Sequence, residues 1–378
     1  MQLEDKMSKP DENRLRKLET YGQSIWLDYI ERALLENGEL EQLINDAGIS
    51  GVTSNPAIFE KAIAKHSEYD ESIRGLARRG LDAREIYEEL AIADVRDAAD
   101  LLRGVYNSSR KRDGYVSLEV SPKLAHDAAA TIAEAKRLWD RVARPNLMIK
   151  VPATRPGLSA IRQLIGDGIN VNATLLFGVT RYREVAESYM AGLEDRLARG
   201  GALEHVSSVA SFFLSRIDTK VDKYLDKDQR PQALKLRGQA AIACARLAYQ
   251  EYQRCMRSLR WQSLSVHSAY SQRLLWASTS TKDPSYEDIM YVEALIGPDT
   301  VNTLPPDTLT AYLDHGDPKL RLEEHPDAAR AMPGQLAALG LELDAVSDEL
   351  EREGVRKFIE PYDSLLASLA RRVAELVI

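Results

Sequence analysis

The chain has 378 residues, of which 44% are hydrophobic and 29% charged, a balance that fits a soluble globular protein and excludes disordered, fibrous and membrane-spanning classes. A formal net charge of −8 argues against a binder of the nucleic-acid backbone, which needs clustered Lys and Arg, yet leaves room for a small anion held by one or two cations. Cys244 and Cys255 form no C-x-x-C pattern and read as reduced thiols packed in a helix.

In chain order, the first stretch, MQLEDKMSKPDENRLRKLE, is charged throughout and lacks the apolar core of a secretory signal. No apolar run approaches bilayer-spanning length, so a cytoplasmic protein with no membrane partner is expected. Residues 1–20 read as an N-terminal helical extension. β-rich runs then alternate with segments of helical period: SIWLDYI from Ser24, GVTSN from Gly51, YVSLEV from Tyr115, NLMIKVPA from Asn146, INVNATLLF from Ile169, HVSSVASFF from His205, RLLWAST from Arg273 and DTVNTL from Asp299. Between them GELEQLINDAG, AREIYEELAIADVRDAADLLRGVY, HDAAATIAEAKRLWDRV and RYREVAESYMAGLEDRLARG carry apolar residues at three- and four-residue spacing. Eight such strands close an α/β fold, the (β/α)8 TIM barrel, predicted here as one domain over residues 1–378. The gaps after Asn55 and Phe213, each about sixty residues, exceed one helix and its loops and predict an extra helix pair in each. KDPS (282–285) reads as a loop. Residues 305–378, with PPDTLTAYLDHG, ELDAVSDELERE and YDSLLASLARRVAELV, predict C-terminal helices packed on the barrel.

Strand parity sorts the candidate functional residues, because alternate side chains of a barrel strand face the lumen and the helices. In NLMIKVPA, Leu147, Ile149 and Val151 take the helix-facing side, leaving Met148, Lys150 and Pro152 inside. In INVNATLLF, Val171, Ala173 and Leu175 face outward, and Asn170, Asn172 and Thr174 form an inner polar row. The same sorting turns Glu119, Asp28, Thr53 with Asn55, and Ser207 with Ser211 inward. Several strands thus each send a polar residue toward the C-terminal rim, where barrel active sites are built.

A lysine among Met148, Ile149, Val151 and Pro152 is desolvated, which favours a neutral, nucleophilic amine, whereas an ionised Glu119 would pull the other way. The plainer alternative is a snorkelling or salt-bridged lysine. Glu119 and Asp28 suit general acid–base roles, Glu119 through a water held by Thr174. Asn55 and Asn172 offer uncharged donors and acceptors for sugar hydroxyls. Arg216, just past the sixth run, has the fork geometry to hold a phosphate. The six histidines show no metal spacing, so no metal and no cofactor are expected.

The segments VTSNPAIFEK, SLEVSP, MIKVPAT, GINVNATLLFG and SVASFFLSRID, in that order, resemble the transaldolases, and the length resembles their longer bacterial subtype. The resemblance implies a transferase of the class I, Schiff-base aldolase type that acts on sugar phosphates in the pentose phosphate pathway. A dihydroxyacetone unit would move from sedoheptulose 7-phosphate or fructose 6-phosphate to glyceraldehyde 3-phosphate or erythrose 4-phosphate. It further implies Lys150 as the Schiff-base lysine, Asp28 as acid/base at the donor C4 hydroxyl, and Glu119 with Thr174 around a catalytic water. Asn55, Asn172 and Ser211 would bind the donor, and Arg216 its phosphate. One departure stands out: where many members carry a second phosphate-binding arginine after the seventh strand, this sequence reads WASTSTKD, with Ser280 in its place and Lys282 as the substitute cation. Two rivals are an aldolase of the same family that releases free dihydroxyacetone and a phosphosugar-binding barrel without turnover. Glu119 and Phe213 argue against the first, whose members resemble this chain but carry Gln and Tyr there. The complete set of expected catalytic side chains argues against the second. Monomer and homodimer both stay open.

Overall fold

The computed structural model describes residues 13–228 and 230–377. Eight parallel strands close a barrel in sequence order: β1 (Gln23–Leu27), β2 (Gly51–Thr53), β3 (Tyr115–Glu119), β4 (Leu147–Pro152), β5 (Val171–Leu176), β6 (Ser208–Phe213), β7 (Arg273–Ala277) and β8 (Thr300–Leu304). The protein is a (β/α)8 TIM barrel, with helices outside every strand and a core of Val, Ile, Leu and aromatic side chains. Each predicted run supplies one strand, trimmed at its ends. Of the N-terminal extension read at 1–20, Arg14–Thr20 is helical and residues 1–12 lie outside the described residues.

The N-terminal end of the barrel is plugged by a buried polar cluster that parity alone does not reveal. Arg273, opening β7, reaches Asp113 at 3.0 Å and donates to Ser24 Oγ at 2.7 Å, while Trp26 Nε1 donates to the same carboxylate at 3.1 Å. Trp26 lies so close to β2 that a Cβ on Gly51 would stand 2.5 Å from its ring, so only glycine fits there. At the other end, β5 bends. Leu175 has φ 63°, a left-handed conformation that is costly for a branched side chain, and the β5–β6 register slips between Ala173 and Leu176. A Cβ on Gly354 of the C-terminal helix would meet Leu175 Cδ2 at 3.1 Å, so Leu175 packs up against that helix.

The long gaps hold more helix than a pair. Pro56–Lys65, Asp70–Arg78, Ala83–Leu101 and Arg103–Ser108 fill the first, and Ser215–Asp228, Pro231–Leu234, Ala240–Met256 and Leu259–Ser265 the second. Beyond β8 come Pro306–His315, then Pro326–Ala337, which the sequence reading passed over, then Leu343–Val377. The two amphipathic segments expected near the end are one 35-residue helix that continues through Pro361. Proline in a helix interior costs about 3 kcal/mol. The buried stripe Val355, Phe358, Tyr362, Leu365 and Leu369 runs across it at three- and four-residue spacing, and each such side chain returns about 1.5–3 kcal/mol, so packing wins. Among the described residues no helix is long and apolar enough to cross a membrane.

Candidate active site

A cavity of about 410 Å³ opens at the C-terminal end of the barrel. Its floor is Lys150, set by β4 among the buried Met148, Ile149 and Val151 and itself only 4% exposed. Its side-chain nitrogen donates to the Ser54 carbonyl at 3.1 Å and stands 5.9 Å from the ring centre of Phe358. Asp28 shares the cavity from the end of β1, its amide tied to the Leu304 carbonyl of β8 at 2.8 Å. Thr53 Oγ1 donates to its carboxylate at 2.7 Å and lies 2.8 Å from Thr303 Oγ1. Since Thr53 has one proton and gives it to Asp28, Thr303 is the donor of that second bond. Burial raises the Asp28 pKa, and the charge of Lys150 and the Thr53 hydrogen bond oppose the rise.

Ser211 also lines the cavity, and its hydroxyl donates to Asn172 Oδ1 at 2.6 Å. Asn172 Nδ2 in turn donates to Ser117 Oγ at 3.1 Å. Asn172 is fully buried and is not among the residues lining the cavity; its amide fixes Ser211 from beneath. Asn55 does line the cavity. It caps the Pro56–Lys65 helix, its Oδ1 accepting from the Ile58 amide at 3.1 Å, so the amide nitrogen is the part left for a ligand.

Glu119 is the register partner of Lys150 on the neighbouring strand. Neither of its oxygens, nor the Thr174 hydroxyl, has a hydrogen-bond partner among protein groups, and all three atoms are buried. Burial pushes the Glu119 carboxyl up to about 7; Lys150 and Arg216 oppose this and Asp28 adds to it. Glu119 faces a second, separate cavity of about 20 Å³, bounded by Tyr87, Arg84 and Glu134, which has room for one water molecule.

The mouth of the large cavity is cationic. Arg216, in the first turn of the Ser215–Asp228 helix, sits 5.5 Å from the Phe213 ring centre and 5.8 Å from that of Phe358, with Nη1 buried and unpaired. The loop after β7 is pinned beside it by a hydrogen bond between the hydroxyls of Ser215 and Ser278, 2.8 Å apart. That loop brings Ser280 and Lys282 to the rim, Lys282 Nζ donating to Ser280 Oγ at 2.7 Å. Sequence reasoning missed Thr303, Lys61, Lys357 and Phe358, which also line the cavity. Lys61 lies within the quoted VTSNPAIFEK segment, one turn and a half into its helix. Lys357 and Phe358 carry no local signal, because their role depends on the C-terminal helix returning over the barrel.

Among the described residues no cluster of three or more His, Cys, Asp or Glu side chains has metal-binding geometry. The family described as Transaldolase/Fructose-6-phosphate aldolase matches residues 25–369. The chain is 50% identical over 375 residues to "Transaldolase 2" of Nostoc punctiforme, covering 96% of this chain and 98% of that protein. It is 46% identical over 374 residues to "Transaldolase" of Trichodesmium erythraeum, with the same coverage, and 48% identical over 358 residues to "Transaldolase 1" of Streptomyces coelicolor, covering 94% of each.

Proposed function

The chain belongs to the transaldolase and fructose-6-phosphate aldolase family, and from that premise we propose that Lys150 carries a dihydroxyacetone unit between sugar phosphates as an imine. The activity is that of a transaldolase, a transferase. The observation that carries the assignment is the placing of Lys150 on the floor of the barrel-top cavity, with Asp28 sharing that cavity and Arg216 and Lys282 at its mouth.

The amine attacks the ketone carbon of the donor and must be neutral to do so. The carbinolamine hydroxyl then leaves as water, taking a proton from Glu119, whose pKa near 7 suits an acid that must also act as base in the return direction. A water between Glu119 and Thr174 would satisfy their unpaired atoms and relay that proton. Next the C3–C4 bond breaks. Its electron pair flows into the iminium to form an enamine, while Asp28 takes the proton of the C4 hydroxyl. The phosphate-bearing fragment departs as an aldehyde, and the three-carbon unit stays on Lys150 until an acceptor aldehyde reverses the steps. Asn55 and Ser211 hold its hydroxyls, with Asn172 orienting Ser211. Arg216, Ser280 and Lys282 hold the phosphate of donor and acceptor.

The test is borohydride reduction in the presence of fructose 6-phosphate, with the modified peptide located by mass spectrometry. A three-carbon or intact-sugar adduct is expected on Lys150 and not in Lys150→Ala. Erythrose 4-phosphate added before reduction should deplete the three-carbon adduct. Its persistence would favour the aldolase that releases dihydroxyacetone, and an unlabelled wild type would remove Lys150 from the chemistry.

A further inference from the structure

The chain is acidic overall, but its cavity mouth is not. The cavity is lined by five basic side chains, Lys61, Lys150, Arg216, Lys282 and Lys357, against two carboxylates, Asp28 and Asp307. Elsewhere arginines and lysines are commonly ion-paired, as in Arg162 with Asp195, Lys220 with Glu349 and Glu353, or Arg260 with Glu187 and Glu194. Among the described residues Lys61, Lys282 and Lys357 have no carboxylate within ion-pair distance, although Glu353 adds its field near Lys357. The mutual repulsion is visible at Lys282, whose pKa is lowered by burial and by the charges of Arg216 and Lys61. Unpaired like charges gathered in one cleft oppose folding and persist where an anion is to be bound.

These cations come from four different elements. Arg216 is on the helix after β6 and Lys282 on the loop after β7, while Lys61 is on the Pro56–Lys65 helix and Lys357 on the C-terminal helix, next to Phe358. Arg216 is partly buried and rests against the neighbouring rings of Phe213 and Phe358, which restricts its fork. Lys61 and Lys357 are exposed and flexible point charges. Building on the transfer reaction above, we propose that Lys61 and Lys357 form an outer phosphate clamp across the mouth, which selects phosphorylated aldehydes over unphosphorylated ones. The division of labour follows from the reaction. The phosphate leaves with the first aldehyde and returns with the second, so the site must release and recapture an anion in every cycle while the three-carbon unit stays behind. Mobile lysines at the rim draw the incoming dianion in, and the rigid Arg216 sets its final position.

The experiment compares wild type with Lys61→Gln, Lys357→Gln, the double Gln variant and the double Arg variant. Two readouts are taken. The first is kcat/KM for transfer from fructose 6-phosphate to erythrose 4-phosphate and to unphosphorylated D-glyceraldehyde, at low and high salt. The second is the affinity of inorganic phosphate by calorimetry, which needs no turnover. In the double Gln variant the preference for the phosphorylated acceptor should fall about tenfold, as expected for two exposed charge contacts, with a weaker salt dependence and a matching loss of phosphate affinity. The double Arg variant should keep both. An equal loss with both acceptors, or phosphate affinity within twofold of wild type, would overturn the clamp. A failed Lys150 adduct with phosphate affinity still lost in the Gln variants would instead locate the error in the proposed chemistry and leave the anion site standing.

Discussion

Replacing Glu119 by Gln should stabilise the fold at alkaline pH while disabling it as a catalyst. The carboxyl is 7% exposed, and its pKa rises from 4.5 to about 7 on folding, burial being the main cause. A group raised in this way contributes stability that is complete below its unfolded pKa and is lost as the pH climbs through the folded one. Between pH 4.5 and 8 the wild type therefore loses about 3 kcal/mol through this one side chain, the free-energy equivalent of the gap between the two values. Glutamine does not titrate. Relative to wild type, the variant should gain about 3 kcal/mol on going from acid to pH 8, or about 4 °C in Tm for a chain of this length. Differential scanning calorimetry of both proteins at pH 5 and pH 8 reads it directly. Transfer activity should fall about a hundredfold, the range for removal of a general acid–base group. If the Tm offset between variant and wild type is the same at both pH values, Glu119 does not titrate near neutrality, and its assignment as the acid of imine formation fails with it.

Two further outcomes follow from packing. Arg273→Met should cost about 3–5 kcal/mol in urea unfolding, because it leaves Asp113 charged, buried and without its main partner, whereas Arg273→Met combined with Asp113→Leu should recover most of the loss; a single variant as stable as wild type would mean the plug is hydrated. Phe358→Ala should cost about 3 kcal/mol and, by uncovering Lys150, should raise the rate at which free dihydroxyacetone appears from fructose 6-phosphate without acceptor, measured by NMR. No change in that rate would mean that Phe358 does not shield the intermediate.

Much of this was legible because β strands have a period of two. Lys150 stands out in NLMIKVPA since its neighbours are all apolar, and the same rule turned Asp28 and Ser211 toward the cavity they line, whereas Glu119, read as inward too, faces the separate small cavity. Parity does not report depth. Asn172 and Ser211 have the same inward direction, but Ser211 meets the cavity and Asn172 supports it from below. Nor does parity foresee the bend within β5, where Leu175 takes a left-handed φ and the register with β6 slips. The C-terminal helix was hardest to foresee. Pro361 reads as a boundary locally, and only the apolar stripe packed on the barrel shows why the helix continues past it. Phe358 and Lys357 reach the site through that packing, which no short motif encodes.

Asp28 and Phe358 are separated by 330 residues, yet they line the same cavity. The amide of Asp28 is fixed by β8, the last strand to be made, and the roof over Lys150 comes later still. On the ribosome, then, a chain that already contains Lys150, Asp28 and Glu119 still lacks the eighth strand that closes the barrel and the helix that carries Phe358. The lining that Lys357 and Phe358 supply therefore enters the cavity only with the Leu343–Val377 helix, after every strand of the barrel has been made.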